Sequence, residues 1–331
     1  MTNSKHFNVG RRFVLGMGVA LSSLAMLGVT APAQAAYPEK PITVVIGWGA
    51  GGGMDSAARV AEKHIEKYLG QPLNIVYKPG GAGKVSHNLL VSQYEPDGYT
   101  IAIANIPNQV IQTKLSDEGF RLNDLQWVAN QAFVPLTVMV KKDGPFKTLE
   151  DLVKAAKADP GKIKAGAPGA TSGAAAFHYT WTKITGAPIT LIPYSGGSKT
   201  YKGFLGGEVE VISSNANWAV RYEDTIHTLA IAVEKRSPLI PDVPTFKELG
   251  YDYVGNLSRT YSASAKVPKD RVKVLSDAFA KMSEDPAYIE DMKKVGLDVD
   301  YLDSEATAKF VAKFESENDD AFKIMKEKQR K

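Results

Sequence analysis

A glycine-rich segment near the start of the chain has the composition of an anion-binding loop. Residues 47–55 are Gly-Trp-Gly-Ala-Gly-Gly-Gly-Met-Asp and lie between a short apolar run and a helical pattern. Glycines let the backbone approach a ligand closely, and the free N–H groups at the start of a helix attract negative charge. The segment therefore predicts a site for an anion such as a carboxylate.

The same loop contains the spacing G-x-G-x-x-G at Gly47, Gly49 and Gly52, which is also typical of dinucleotide binding. A dinucleotide site needs an acidic residue at the end of the following strand, about 20 residues further on. That strand is predicted to end at residues 77–79 as Tyr-Lys-Pro, without an acid. We therefore prefer the carboxylate interpretation.

Two side chains of this loop have alternative roles. Trp48 forms either a wall of a ligand cleft or part of the core, and its position among glycines favours the wall. Asp55 is an unfavourable neighbour for an anion. It either caps the following helix, connects loops, or accepts a hydrogen bond from a ligand.

A second loop of similar composition follows a later predicted strand. Residues 166–173 are Gly-Ala-Pro-Gly-Ala-Thr-Ser-Gly, and they offer the hydroxyls of Thr171 and Ser172 together with several backbone N–H groups. Either hydroxyl also suits the N-cap of the next helix, and capping is compatible with ligand contact. Two such loops that face each other across a cleft would hold an acid group from both sides.

Residue patterns of known enzyme classes are missing from the sequence. It has no Gly-x-Ser-x-Gly, no His-Glu-x-x-His and no cysteine. His64, His87, His178 and His227 are scattered without the spacing of metal ligands. We therefore expect no catalytic residue, no metal and no cofactor.

The elements that position these loops follow from the hydrophobic pattern. Short β-branched runs at residues 42–46, 73–77 and 100–103 alternate with helical patterns, and the same order recurs between residues 147 and 233. Apolar runs that alternate with helices predict parallel sheets covered on both faces. We expect an α/β fold with two doubly wound units in series.

Two segments rich in β-forming residues, 127–141 and 253–265, separate these units. We interpret them as strands that cross between two lobes. The first lobe is then discontinuous, with residues 36–136 and 251–331, and the second lobe comprises residues 137–250. A cleft between lobes is a preferred ligand site, and such lobes often close by hinge motion.

The N-terminus is typical of a secretory signal peptide. Three basic residues precede an uncharged apolar stretch, and an Ala-Gln-Ala cleavage signal follows. Glycine, serine and threonine dilute the apolar stretch, which favours a signal peptide over a membrane anchor. We expect residues 1–35 to be removed near Ala35-Ala36, which makes the mature protein periplasmic. The pair Arg11-Arg12 suits twin-arginine export, and general secretion fits equally well.

Removal of this leader brings the chain close to neutrality. The full chain has 40 Lys and Arg against 36 Asp and Glu, and the leader contains three of the basic residues and no acid. A near-neutral protein gives no reason to expect nucleic acid or a basic membrane patch as a partner. An anionic ligand must then be held by local groups. Without cysteine, the exported protein depends on its core for stability.

Short motifs in a fixed order extend through the mature chain from residue 37 to residue 245. They are YPEKPI (37–42), AGGGMDSAAR (50–59), PGGAG (79–83), PDGYT (96–100), PYSGG (193–197), LGGEV (205–209), RSP (236–238) and PDVPT (241–245). In this order they resemble the substrate-binding receptors of tripartite tricarboxylate transporters, also called the Bug family. The resemblance implies a two-lobed, type II-like periplasmic-binding-protein fold, in which each lobe is a mixed, mostly parallel sheet flanked by helices.

The resemblance also implies which residues contact the ligand, a carboxylate held by strand–helix loops of both lobes. In chain order these residues are Trp48, Ala50, Gly51, Gly52, Gly53, Met54, Asp55, Gly169, Ala170, Thr171, Ser172 and Gly173, with Asn215 as a weaker candidate.

The sequence departs from the family pattern at three points. Trp48 replaces a common Phe, Ala175 stands where a His is usual, and Ser195 stands where a Lys is common. His178, one helical turn after Ala175, is a candidate substitute for the missing His. The large aromatic residue and the small residue at 175 predict a bulkier acid, either aromatic or a longer dicarboxylate.

The function implied by the resemblance is that of a periplasmic receptor, not an enzyme. The receptor, expected to be a monomer, would bind a small carboxylate and deliver it to two integral membrane transporter subunits. A sensor component that binds a ligand and docks a signalling receptor would have the same fold and pocket, so it is an alternative. A periplasmic enzyme is less favoured because the sequence shows no acid–base set.

Overall fold

The computed structural model describes residues 37–317, 322–323 and 325–327. The predicted signal peptide and its cleavage site lie outside these residues. None of the described helices is long and apolar enough to cross a membrane.

Nine β-strands occur in the described residues and form one mixed sheet. They are β1 (Ile42–Ile46), β2 (Leu73–Tyr77), β3 (Thr100–Ala104), β4 (Leu125–Lys141), β5 (Lys164–Pro168), β6 (Thr190–Tyr194), β7 (Val211–Asn215), β8 (Ile226–Ile231) and β9 (Asn256–Ser264). Their order in the sheet is β2-β1-β3-β9-β4-β7-β5-β6, with β8 also paired to β4.

Helices connect most of the strands. Those of the described residues are α1 (Gly53–Leu69), α2 (Lys84–Ser92), α3 (Asn108–Leu115), α4 (Leu149–Ala158), α5 (Gly173–Thr185), α6 (Gly197–Leu205), α7 (Asn217–Arg221), α8 (Lys269–Ser283), α9 (Pro286–Lys294) and α10 (Ser304–Glu317). The alternation of strand and helix that the hydrophobic pattern predicts is confirmed.

The long strand β4 joins the two halves of the sheet. Residues 125–135 of β4 pair with β9, and residues 136–141 pair with β7 and β8. We call β2, β1, β3, β9 and residues 125–135 the first half. The second half comprises residues 136–141 with β8, β7, β5 and β6. The antiparallel pairs all involve β4 or β9, whereas β1–β2, β1–β3, β5–β6 and β5–β7 are parallel.

Helix α1 shows how local sequence places a ligand loop against the core. Its residues Ala57, Ala61 and Ile65 recur at helical spacing, are buried, and pack with the apolar side chains of β1. Gly70 ends the helix in a left-handed conformation with φ of 76°, and its N–H donates to the carbonyl of Glu66. This packing fixes the start of α1, and with it the preceding glycine loop, at the end of β1.

Two helices are missed by the hydrophobic pattern. Helix α3 buries Asn108, Gln109 and Gln112 together with Val110 and Ile111, so polar residues interrupt the apolar repeat from which helices are predicted. Helix α7 has only five residues, too few to establish a repeat. Both helices begin at loops next to the site described below.

Candidate functional site

A cavity of about 220 Å³ lies at the carboxyl ends of strands from both halves of the sheet. The loops after β1 and β3 line it from the first half, and those after β5, β6 and β7 line it from the second. Strand β9 contributes Leu257 and Arg259. In α/β proteins, ligands bind outside the carboxyl ends of the strands, so this is the candidate site.

Trp48 forms part of the wall of this cavity. Its half-buried indole packs against Gly83, where a Cβ atom would lie 2.6 Å from the ring. Gly83 also has φ of +94°, a conformation that favours glycine. The two loops after β1 and β2 therefore touch through Trp48. This residue lines the cavity and also packs against the apolar core, so the structure combines the two roles predicted for it.

The N-terminus of α1 presents free amides at the cavity. The N-cap residue Gly52 has no side chain to cap the helix, and the first bond within the helix runs from the N–H of Ser56 to the carbonyl of Gly52 (3.0 Å). The amides of Gly53, Met54 and Asp55 have no acceptor among the described residues. Since Gly52, Gly53 and Met54 line the cavity with Ala50, this end of α1 favours an anion there.

Asp55 connects the loop to the sheet and does not line the cavity. Its carboxylate accepts hydrogen bonds from the N–H of Gly51 (2.7 Å) and the hydroxyl of Tyr77 (2.6 Å), and it lies 3.4 Å from Nε of Arg59. Of the roles predicted for Asp55, connecting loops is the nearest to what the structure shows, since its partner Tyr77 is the last residue of β2. The carboxylate stabilises the loop and leaves the helix amides free.

The N-terminus of α5, in contrast, is already capped within the protein. Ser172 Oγ accepts from the N–H of Ala175 (3.1 Å), which confirms its predicted N-cap role. The N–H of Gly173 donates to Oδ1 of Asn108 (2.7 Å). Ser172 still lines the 220 Å³ cavity. Because two of its amides have partners, the N-terminus of α5 has fewer free N–H groups for a ligand than the N-terminus of α1.

The other predicted residues of this loop line a neighbouring cavity of about 340 Å³. These are Gly169, Ala170 and Thr171, and Trp48 lines both cavities. The residues predicted as one ligand shell are therefore divided between two adjoining spaces.

The second free helix end at the 220 Å³ cavity belongs to α6. Residues 195–199 line the cavity, and the N-cap residue Gly196 has no side chain. The first bond within α6 runs from the N–H of Thr200 to the carbonyl of Gly196 (3.0 Å), so the preceding amides have no acceptor in the described chain. The motif PYSGG (193–197) contains this helix end, but of its residues only Ser195 was identified, as a departure from the family pattern. The pair Gly196-Gly197 before a helix was the available signal.

Arg259 of β9 is the only ionisable side chain that lines this cavity with almost no exposure in the described residues. It is 1% exposed, and its Nη1 donates to Oδ1 of Asn105 (2.6 Å) and to the carbonyl of Ser258 (3.2 Å). Burial lowers the pKa of the Arg259 guanidinium to about 10, so it is charged at neutral pH. This residue was not predicted from the sequence. The feature of the sequence that could have indicated it is that Arg259 is the one charged residue of β9.

Asn215, the weaker candidate, lines the cavity at the end of β7. It is 7% exposed, and its Oδ1 accepts no hydrogen bond from a described protein group. The amide oxygen is therefore positioned to accept a hydrogen bond from a ligand.

Hydrogen bonds beside the cavity connect the two halves of the protein. Nη1 of Arg221, in α7, donates to the carbonyl of Gly51 in the loop after β1 (2.8 Å). The bond between Gly173 and Asn108 joins α5 to α3 in the same way. The loops that line the cavity are thus held together across its edge.

Several predicted residues lie outside both cavities. Gly51 and Gly173 contribute their backbone groups to the bonds above, and the side chains of Ala175 and His178 are buried. The imidazole of His178 bonds to Ser213 Oγ (3.1 Å) and to the carbonyl of Ile189 (3.2 Å). The prediction that Ala175 and His178 contact the ligand does not agree with this geometry. Ala175 therefore gives no support for a bulkier acid.

Replacing His178 with alanine should lower the free energy of unfolding by about 1–2 kcal/mol, because buried hydrogen-bonding groups lose their partner. The affinity of the folded variant for an acid should match that of the wild type. Urea denaturation and calorimetric titration measure the two quantities. A tenfold loss of affinity without a change in stability would show that His178 contacts the ligand after all.

Proteins of related sequence extend over most of this chain. One from Cupriavidus necator, named "UPF0065 protein in gbd 5'region", is 33% identical over 91% of this chain and 93% of its own length. Protein BugT of Bordetella pertussis is 30% identical over 69% of this chain and 72% of its own length.

Solved structures show the same fold. One described as a periplasmic transporter has a TM-score of 0.79 and 26% identity, covering 88% of this chain and 98% of its own. An R. palustris protein with adipate has a TM-score of 0.82 and 21% identity, covering 88% and 98%. MatC from Rhodopseudomonas palustris with bound malate has a TM-score of 0.79 and 22% identity, covering 86% and 100%. The predicted α/β fold of two-lobed periplasmic binding proteins is thus confirmed.

The family follows from a match over most of the chain. A family model described as "Tripartite tricarboxylate transporter family receptor" matches residues 57–327. This range contains most of the motifs on which the resemblance rests, including PYSGG (193–197) at the cavity. The chain therefore belongs to the tripartite tricarboxylate transporter receptor family.

Proposed function

We propose that this protein binds a small carboxylate in the 220 Å³ cavity and delivers it to a tripartite transporter with two integral membrane subunits. The observation that carries this proposal is the meeting of two uncapped helix N-termini, those of α1 and α6, at one cavity between the two halves. Helix N-termini stabilise anions through free N–H groups and the helix dipole. The adipate and malate bound by proteins of the same fold are acids of this class.

A receptor role is supported over catalysis by the side chains at the cavity. Its described lining includes no aspartate, glutamate, histidine or cysteine, and the lysine that lines it, Lys199, is exposed. The free amides, Asn215 and the Trp48 wall bind and orient a ligand without a group to transform it. We propose that the protein releases its ligand unchanged.

The two halves are proposed to act as lobes that close on the ligand. Residues 36–136 and 251–331 would form one lobe, and residues 137–250 the other. The change of partner along β4, from β9 to β7 and β8, supports a boundary in this strand. The bond from Arg221 to Gly51 then belongs to the closed form. We propose a periplasmic monomer that has lost residues 1–35 on export.

A thermal-shift panel tests the proposed function. Mature protein is freed of any carried-over ligand by unfolding and refolding, then mixed with mono-, di- and tricarboxylates and with aromatic acids. A ligand at 100 times its dissociation constant adds about 2.7 kcal/mol of stability, which should raise Tm by several degrees. Folded protein that responds to no acid would contradict the carboxylate assignment.

Delivery to a transporter needs its own measurement. Deletion of the gene in the native host should abolish uptake of the acid that gives the largest thermal shift, and the plasmid-borne gene should restore it. Unchanged uptake in the deletion strain would favour the sensor alternative.

A further inference from the structure

Arg259 is a buried cation without an anionic partner in the described structure. Its guanidinium has hydrogen bonds only to neutral oxygens, those of Asn105 and Ser258, and its Nε has no acceptor. No carboxylate of the described residues lies within ion-pair distance of it. The described protein therefore holds a positive charge away from solvent with no charge to balance it.

Such an arrangement is unfavourable for the protein alone. Transfer of an ion from water to the interior costs free energy that neutral hydrogen bonds return only in part. The lowered pKa of Arg259 has this same cause, burial without a compensating charge. Apolar residues in place of buried charges are often neutral or stabilising. Stability alone therefore gives no reason for an arginine at this position.

The guanidinium faces the free end of α1. A Cβ atom on Gly53 would lie 3.0 Å from Nη2 of Arg259, so the first turn of the helix and the cation are in close proximity. Both line the 220 Å³ cavity. A helix N-terminus and a buried guanidinium at the same place produce a strongly positive potential, and each suits the two oxygens of a carboxylate.

We propose that Arg259, held in place by Asn105, is the counter-charge for a carboxylate of the ligand and makes the cavity specific for acids over neutral analogues. This inference deepens the proposed function and rests on it. The site recognises the charge of one carboxylate between the guanidinium and the first turn of α1. An amide of the same shape leaves the buried cation unbalanced and should be rejected.

The alternative is that Arg259 has a structural role only and orients Asn105 and the backbone of β9. The two roles differ in the ligand-free protein. A structural arginine stabilises the fold, so its loss, or a disturbance of its bond to Asn105, should lower Tm. If Arg259 is instead the counter-charge for a ligand carboxylate, a carboxylate placed in the chain at position 105 should raise the Tm of the ligand-free protein.

The test uses the mature full-length protein and three substitutions. R259M removes the charge, R259K retains it, and N105D places a carboxylate where Oδ1 lies 2.6 Å from Nη1. N88D is the matched control, because Asn88 lines neither cavity and its Oδ1 accepts from the N–H of Phe120, as an aspartate oxygen also can. Calorimetric titration uses acid and amide pairs: adipate with adipamide, malate with malamide, benzoate with benzamide.

We expect R259M and N105D to weaken binding of the preferred acid about 10- to 100-fold, the range for hydrogen bonds to charged groups. Binding of its amide should change much less, so the preference for the acid falls. R259K should keep part of the preference, and N88D should match the wild type. Ligand-free N105D should have a higher Tm than the wild type.

An unchanged acid-to-amide ratio in R259M would overturn the inference, while acid binding by the wild type would leave the proposed function intact. A lower Tm and unchanged affinity in N105D would assign Arg259 a structural role. If R259M does not fold, R259K and N105D decide in its place. A folded wild type that binds no acid of the thermal-shift panel would contradict the proposed function, and this inference with it.

Discussion

Replacing Gly53 with valine is expected to weaken carboxylate binding about 100-fold. A Cβ atom at this position would lie 3.0 Å from Nη2 of Arg259 and 3.0 Å from Nδ2 of Asn217. The larger side chain would occupy the space between the first turn of α1 and the guanidinium. Overpacking and the loss of hydrogen bonds to a charged group each cost about 1–3 kcal/mol, which together reach this magnitude.

The comparison for this variant is a valine at Gly49, which lies in the same loop and also lines the cavity. A Cβ atom at Gly49 would have no neighbour within 4 Å, so the side chain can extend into open space. Calorimetric titration with the best acid of the panel measures both variants, and circular dichroism checks that they fold. The effect at Gly53 should be at least tenfold larger. An unchanged affinity in the folded Gly53 variant would mean that the ligand does not approach the first turn of α1.

Acidification from pH 7 to pH 4 is expected to lower the free energy of unfolding by roughly 3 kcal/mol through His87 alone. His87 is fully buried, and burial lowers the pKa of its imidazole to about 4. In the unfolded chain the same group has a pKa of about 6.5. The unfolded state therefore binds the proton first as the pH falls. The contribution of neutral His87 to the free energy of unfolding is therefore present above about pH 6.5, and it is lost progressively as the pH falls towards 4.

The surroundings of His87 explain this shift. Its Nδ1 lies 3.1 Å from the carbonyl of Gly83 and its Nε2 lies 3.3 Å from Ser262 Oγ, while its ring is beside Phe120. With the proton on Nδ1, the neutral ring donates to Gly83 and accepts from the serine hydroxyl. A second proton would place a charge in this apolar space and remove the acceptor for Ser262.

Urea denaturation at several pH values between 7 and 4 measures the effect, and His87→Gln isolates it. The variant cannot titrate, so its stability should depend less on pH than that of the wild type over this window. Asp285, whose pKa is lowered to about 2 by the hydroxyl of Tyr68 and other donors, adds to acid instability only below about pH 4. Parallel profiles for variant and wild type would show that His87 is not responsible.

The alternation of strands and helices was predictable because it depends on local patterns. Strands β1 and β2 have the bounds expected from their apolar runs, and α1 ends at Gly70 as the glycine indicates. Helix α3 was not predictable in this way, because three of its five buried residues are polar and only the folded protein shows what they contact. A hydrophobic pattern predicts a helix from its local repeat, but it does not show which part of the protein that helix contacts.

The candidate site was predictable in part. The glycines after β1 have a composition that indicates close backbone approach, and the structure places four of the predicted loop residues and Trp48 at the cavity. The roles of α5 and α6 could not be separated from sequence, since both follow glycine-rich loops. The difference is that Ser172 and Asn108 satisfy the amides of α5, and Asn108 is 65 residues away from Gly173.

Arg259 shows most clearly which part of the site could not be predicted from the sequence. Most arginines lie at the surface, and nothing local to β9 reveals that this one is buried beside the start of α1, more than 200 residues earlier in the chain. Only the pairing of β9 with β3 and β4 brings it to the cavity. The long-range pairing of strands therefore determines the charge at the site, whereas the loop sequences determine its free amides.

The most direct measurement is a crystal structure of the mature protein with the best acid of the panel. We predict that the acid lies in the 220 Å³ cavity, with one carboxylate between the guanidinium of Arg259 and the amides of Gly53 and Met54. The loop of residues 195–199 should contact the same molecule from the second half. An acid bound only outside this cavity, with the free amides of α1 and α6 not in contact with it, would contradict the assignment of this site.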